Sequence, residues 1–315
     1  MSQDYDELHI PFMNVHEEIL KSVEAILRQV RTNQVPDWED LVVYHYCDAG
    51  ALLSILRNHT LWATDMAFMN DAQEIAYGLS LFQCLQMKPI KEDWITKIFA
   101  DFFDELRGQD LDSFTEHWYC CCFTRGSDKL SQWRGYADNG RGYAVGIKVR
   151  DLIPSFKVDG KFLGFPASII YDKDTQEKLV VSIVQTIQNI IVRNVPTDSR
   201  LLADYEEMTK DAIRHVINIT SPMMKNPGFA EEEEFRYLVP PLLVENSTLK
   251  FRTRNGIIIP YFELKPNSGQ KLPISEIVVG PCVDFDKASY SIKKILEQVD
   301  HQEMMIKKSS VPYLP

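Results

Sequence analysis

The spacing of apolar positions changes several times along the chain, and each change marks an element. Val15, Ile19, Leu20, Val23, Ile26, Leu27 and Val30 recur at three- and four-residue intervals, which predicts an amphipathic helix over 15–34 that Pro36 ends. Its apolar stripe can cover its own domain or a partner subunit. LVVYHYC at 41–47 is β-branched and aromatic, hence a strand. Asp48 suits an N-cap for a helix over 49–57 that carries Leu52, Leu53, Ile55 and Leu56. LWAT at 61–64 reads as a short strand, the run from Met69 as a helix, and 91–107 as another. HWYCCCFT at 117–124, YAVGIKV and 164–171 read as strands, with a polar, glycine-flanked loop between the first two. Strongly apolar helices follow over 174–194 and 201–219, together a helical insertion. EEEEFRYLVP, FRTRNGIIIPYFEL and ISEIVVGP read as strands or strand pairs, before a helix over 286–299.

Strands towards both ends with helices between them argue for an α+β fold and against a repeating βαβ pattern. No GxGxxG follows the first strand and no Gly-Lys-Ser/Thr P-loop occurs, so Rossmann and Walker chemistry are unsupported. The absence of Gly-x-Ser-x-Gly and HExxH gives serine-hydrolase and zincin readings little support. Net charge is -11, which disfavours non-specific binding of nucleic acid but leaves room for a local basic pocket. No run of eighteen apolar residues exists and the first residues lack a basic-then-apolar leader, so a cytoplasmic protein with no membrane span is expected. Six cysteines include the adjacent Cys120, Cys121 and Cys122, which read as small buried strand residues and not as metal ligands or a disulfide framework.

Four groups of residues could carry chemistry. His45 lies near the end of the first strand, facing away from Tyr44 and Tyr46; it is either a ligand contact or a satisfied core histidine. Asn70, Asp71 and Glu74 open a helix, where capping explains the acids and the free amides would also suit an anion. Ser131, Gln132, Trp133, Arg134 and Tyr136 crowd into a loop with glycines on either side. There the aromatics can stack on a planar ligand and Arg134 can pair with phosphate, or Trp133 can anchor the loop in the core. Glu232 and Glu234 alternate in an expected strand, placing both carboxylates with Arg236 on one face, as a functional site or as a solvated edge.

Taken in order, YHYC-DAGALLSIL, LWATDMAFMNDAQE, CFT-LSQWRGYADNGRGYAVGI, NPGFAEEEEFRYLV and ISEIVVGP resemble a widespread bacterial domain family of unknown function over roughly residues 41–285. Phe235 stands where that family usually has Trp before the arginine. The family in turn is similar to the ADP-ribosyltransferase superfamily, which includes DNA-modifying toxins of toxin–antitoxin pairs. The resemblance implies a central, antiparallel-rich split sheet with peripheral helices. It divides the chain into an N-terminal helix at 1–37, a transferase-like domain at 38–285 with a helical insertion at about 174–220, and a C-terminal helix and tail at 286–315. It implies NAD as substrate, an unknown macromolecular acceptor, and a role as a toxin or phage-defence effector. Glu234 maps to the catalytic acid and Glu232 to the acid that orients or deprotonates the acceptor. His45 would hold a ribose, and Ser131 or Tyr136 would be the central hydroxyl. Tyr46, Asn70, Gln132, Trp133, Arg134 and Arg236 complete the expected NAD contacts, and no metal is implied. The alternatives are an NAD glycohydrolase, a non-catalytic nucleotide-sensing or protein-interaction module, and a carboxylate-pair hydrolase. A homo-oligomer stays open.

Overall fold

The computed structural model describes residues 3–69, 74–83, 93–108, 118–158, 161–196, 198–241, 248–254, 256–267, 269–301 and 304–313. The chain divides into two units. One comprises residues 1–36, 71–116 and 170–227, and the other 37–70, 117–169 and 228–315.

The first unit is helical. It contains α1 (Gln3–Gln34), α3 (Glu74–Gln83), α4 (Asp93–Gly108), α7 (Lys173–Arg193) and α8 (Leu202–Thr220). α1 packs mainly on α7 and α8, so the described part of its apolar stripe covers its own chain. Ile19, Phe82, Phe99, Phe102, Ile183, Ile191 and Ile213 form the centre of this core. The buried Gln176 donates to the carbonyls of Ile170 at 2.6 Å and Lys225 at 2.8 Å, and accepts from the Tyr77 hydroxyl at 2.9 Å. Asp172 caps α7 by accepting from the Thr175 amide at 2.8 Å. The expected insertion is therefore joined by α1 and the segment 71–116 as one helical body. No described helix is long and apolar enough to cross a membrane.

The second unit is a mixed α+β body around a ten-stranded open sheet. Its strands are β1 (Val42–Cys47), β2 (Leu61–Asp65), β3 (Tyr119–Thr124), β4 (Tyr143–Lys148), β7 (Phe165–Ser168), β8 (Glu234–Val239), β9 (Lys250–Arg254), β10 (Ile257–Leu264), β11 (Ile274–Val279) and β12 (Met305–Lys308). β5 (Lys157–Val158) and β6 (Lys161–Phe162) form a separate short pair. All pairings in the large sheet are antiparallel except β11 with β12. The helices are α2 (Ala49–Asn58), α5 (Leu130–Tyr136), α6 (Val149–Ser155) and α9 (Phe285–Gln298). Asp48 does cap α2, accepting from the Ala51 amide at 2.7 Å. One face of the sheet carries the larger core, including Val43, Leu56, Cys121, Phe123, Phe235, Tyr237 and Ile292. The other carries a smaller one of Tyr44, Tyr46, Trp133, Ala137, Ala144 and Val278.

Two sequence expectations change here. The polar stretch after β3 is not all loop, since Leu130–Tyr136 is helical around the fully buried Trp133. The acidic run is not a strand from its beginning. Pro227–Glu232 is a 3-10 segment, Glu233 has φ +44°, and β8 starts only at Glu234. A left-handed residue interrupts the two-residue alternation, so Glu232 and Glu234 are not neighbours on one strand face.

Candidate functional site

β3 organises the site because it is shared. On one side it pairs along its whole length with β8, from Tyr119↔Val239 to Thr124↔Glu234. On the other side it pairs with β2 only at Tyr119 and Cys120, and with β1 only at Thr124. β1 and β2 thus diverge from β3 like a fork, and Cys121 to Phe123 have no strand partner between the prongs. His45 fills this gap. Its Nδ1 lies 2.8 Å from the Cys122 carbonyl oxygen and its ring meets Phe123 edge-on at 5.8 Å. A carbonyl only accepts, so Nδ1 carries the proton and Nε2 of the neutral ring is an acceptor. Burial pushes the His45 pKa down and the Arg252 charge adds to this, against the opposing effect of the Cys122 carbonyl. The imidazole is neutral at pH 7.

The strand register separates His45 from Glu234. Tyr44 pairs with Thr124, and Thr124 pairs with Glu234, so these three residues share a face. His45 leaves β1 on the opposite side, with Phe123 and Phe235. As ribose contact and catalytic acid of one NAD molecule, the imidazole and this carboxylate would have to line a common cleft, which this arrangement does not give. They are close along the sheet, since both adjoin Cys122, but across it they are divided.

Glu234 and Arg236 form a closed pair. Arg236 Nε and Nη2 each donate at 2.8 Å to the two carboxylate oxygens of Glu234. The side chains are 0% and 8% exposed. Cys120 and Cys122 project beside them with their sulfurs 3.4 Å apart. The contact with Cys120, burial and the Glu234 charge all push the Cys122 thiol well above its ordinary pKa, and burial does the same to Cys121. Both stay protonated at neutral pH. Among the described residues no group of three His, Cys, Asp or Glu could hold a metal ion.

The segment before β8 is fastened to the end of β3 and to α5. Thr124 Oγ1 donates to the Glu232 carbonyl at 2.7 Å, and the Arg125 amide to the Glu233 carbonyl at 3.2 Å. Lys129 Nζ reaches the Glu231 carbonyl at 2.9 Å and the Glu233 carboxylate at 2.8 Å. The Tyr136 hydroxyl meets Glu232 Oε1 at 3.4 Å. Glu232 is only partly covered, whereas Glu234 is buried. Sequence reasoning did not single out Thr124, Arg125 or Lys129. The signal was their position immediately after the cysteine strand, where a buried strand gives way to polar residues.

α5 is itself held from three sides. Trp133 packs edge-on against Tyr46 at 4.6 Å and donates through Nε1 to Asp128 at 2.7 Å. The Tyr46 hydroxyl donates to the Gly126 carbonyl at 2.9 Å and accepts from the Lys129 amide at 3.1 Å. Asp128 also accepts from the Ser309 hydroxyl at 2.5 Å and from the Ser310 amide at 2.6 Å and hydroxyl at 2.8 Å. Burial raises the Asp128 pKa, but these bonds together outweigh it and hold the carboxyl below its usual range. The Tyr313 hydroxyl donates to Asn139 at 2.6 Å. Trp133 and Tyr46 are thus loop anchors within the core and offer no ring face for stacking a ligand. Gln132 is buried, while Ser131, Arg134 and Tyr136 are exposed. Asn70 and Asp71, and the side chain of Glu74, lie outside the described residues, as does Cys84.

Residues 132–237 match a family model described as Protein of unknown function (DUF2971). A DUF2971 domain is found there. It takes in α5 except its first two residues, the acidic segment and the Glu234–Arg236 pair, and the match carries no link to ADP-ribosyltransferases. No curated protein and no solved structure matches the chain.

Proposed function

We propose that the sheet unit binds NAD and cleaves its nicotinamide–ribose bond, passing ADP-ribose to an acceptor nucleophile. The observation that carries this reading is the acidic segment fastened to the end of β3, where the partly covered Glu232 carboxylate meets the Tyr136 hydroxyl of α5. His45 opens on the other face of the sheet, so this reading gives it no ribose contact. Loss of nicotinamide takes the bonding electrons with it and leaves a ribosyl cation, as in glycoside cleavage. A carboxylate beside that cation stabilises the transition state more than the ground state. Both Glu234 oxygens are engaged by Arg236, so the reading gives this role to Glu232, with Tyr136 beside it, and makes Glu234 and Arg236 positioning residues. The acceptor's proton leaves to a base as the new bond forms. Water as acceptor makes the protein an NAD glycohydrolase, and a macromolecular acceptor suits a toxin or defence effector.

A second reading is a nucleotide-sensing module without turnover. The closed Glu234–Arg236 pair favours it, because a carboxylate with both oxygens engaged is a structural one. Release of nicotinamide from NAD by the purified chain separates the two. Under the first reading, Glu232→Gln lowers release by at least ~100-fold while melting is unchanged. Calorimetric binding of NAD without release supports the second. Neither release nor binding removes NAD from the account.

A further inference from the structure

β9 and β10 form a hairpin at the edge of the sheet. From Lys250 to Lys265 it carries four cations, Lys250, Arg252, Arg254 and Lys265, against one carboxylate, Glu263, a local excess of +3 in a chain of -11. Alternation points Lys250, Arg252 and Arg254 to one side of β9. Glu263 is already taken by Lys250 at 2.9 Å and Lys265 at 2.8 Å. Among the described residues neither Arg252 nor Arg254 pairs with a carboxylate.

Arg252 is nevertheless well fixed. Its Nη2 donates to Thr64 Oγ1 at 2.9 Å, and its guanidinium carbon lies 5.5 Å from the centre of the Trp62 ring. Trp62 is backed in turn by Tyr261 at 4.5 Å. The Arg252 Nε is buried and meets no acceptor among the described residues. Burial and the Arg254 charge both press its pKa below the ordinary arginine value, the mark of a cation without local compensation. A half-buried guanidinium that is immobilised, unneutralised and beside a second arginine is costly unless an anion joins it.

We infer that Arg252, Arg254 and Thr64 form a binding site for a phosphate-type oxyanion. The Arg252 fork offers donors to two oxygens at once, and the ring beneath holds its plane. Thr64 accepts from Arg252 and so keeps its own hydroxyl proton to give to the anion. The site lies outside the matched DUF2971 segment and does not depend on NAD turnover. A free phosphate and a nucleotide diphosphate present the same oxygens.

The test is calorimetric titration of the full chain at low salt with inorganic pyrophosphate. Saturable binding is expected, weakened at least about tenfold by Arg252→Gln, the loss of one hydrogen-bonded charged contact. Arg254→Gln changes an exposed strand position, so a weakening there cannot be laid to misfolding; about threefold is expected for a second, more solvated cation. Arg57→Gln, exposed on α2, leaves binding unchanged. ADP binding more tightly than pyrophosphate, with the same loss in Arg252→Gln, assigns the site to nucleotides; equal or weaker ADP binding assigns it to the free anion. No saturable pyrophosphate binding at millimolar concentration overturns the inference. So does wild-type affinity in Arg252→Gln and Arg254→Gln, or binding of a single-stranded oligonucleotide without pyrophosphate. Pyrophosphate has no glycosidic bond, so a negative result here leaves nicotinamide release as a separate question.

Discussion

Replacing Glu234 by Gln keeps the side chain's shape and removes its charge beside a guanidinium with no exposed surface. Two unit charges about 4 Å apart attract by about 4 kcal/mol at an effective dielectric of about 20. Breaking one partner of a buried pair costs about 3–5 kcal/mol, because the remaining charge stays desolvated. The Arg28–Glu24 contact on α1 has the same 2.8 Å length, but its side chains are 65% and 68% exposed. Exposed helical pairs of that kind contribute about 0.3–0.5 kcal/mol. Equal geometry with unequal burial thus predicts roughly a tenfold difference in cost. Urea denaturation followed by circular dichroism measures it. Glu234→Gln is expected to lower the unfolding free energy by about 3–5 kcal/mol, and Glu24→Gln by less than about 0.5. A double cycle with Arg236→Met should recover at least about 2 kcal/mol of coupling. A cost under about 1 kcal/mol for Glu234→Gln, or additive single effects, would refute the argument that burial sets the strength of this pair.

Trp133→Ala should cost about 3–5 kcal/mol and free the loop bearing α5, seen as lost amide protection over 126–140; protection equal to wild type would count against its anchoring role. Stability should also fall with acidification just below pH 6.5. The folded His45 pKa lies under its ordinary 6.5, so in that window the unfolded chain binds more protons. The contribution is full above 6.5 and shrinks as pH drops towards the folded pKa, by at most ~1.4 kcal/mol per pH unit. His45→Gln should flatten that limb in pH-dependent urea titrations, with the rest of it following His59, whose pKa burial also lowers.

Most elements were legible because tertiary context agreed with local pattern. The strands at 42–47 and 119–124 alternate or run apolar, and α7 keeps a strict helical stripe. β12 was not foreseen, since Met-Ile-Lys-Lys has no strong pattern and becomes a strand through its register with β11. α5 was hidden because its sequence has a glycine and no stripe; a single buried indole and the Asp128 bond hold it. Four consecutive glutamates cannot reveal which one turns left-handed, and that turn at Glu233 removed the expected strand pairing of acids. The alternation that set His45 apart from Tyr44 and Tyr46 was readable. Which of those sides Glu234 would join was not, because it depends on registers between β1, β3 and β8 that are set by long-range pairing. Arg252 left a trace in the Lys-Phe-Arg-Thr-Arg alternation, but its contact with Thr64 spans 188 positions.

The fastening of Asp128 by Ser309 and Ser310 has a consequence for biosynthesis. The partners are 181 and 182 residues apart, so the latch closes only after residue 310 has left the ribosome. A nascent chain arrested before Ser309 contains the whole stretch from 132 to 237, yet its α5 loop lacks that tether and Tyr313 has not reached Asn139. Assembly of this corner therefore waits for residues 309–313, whatever order the rest of the sheet follows.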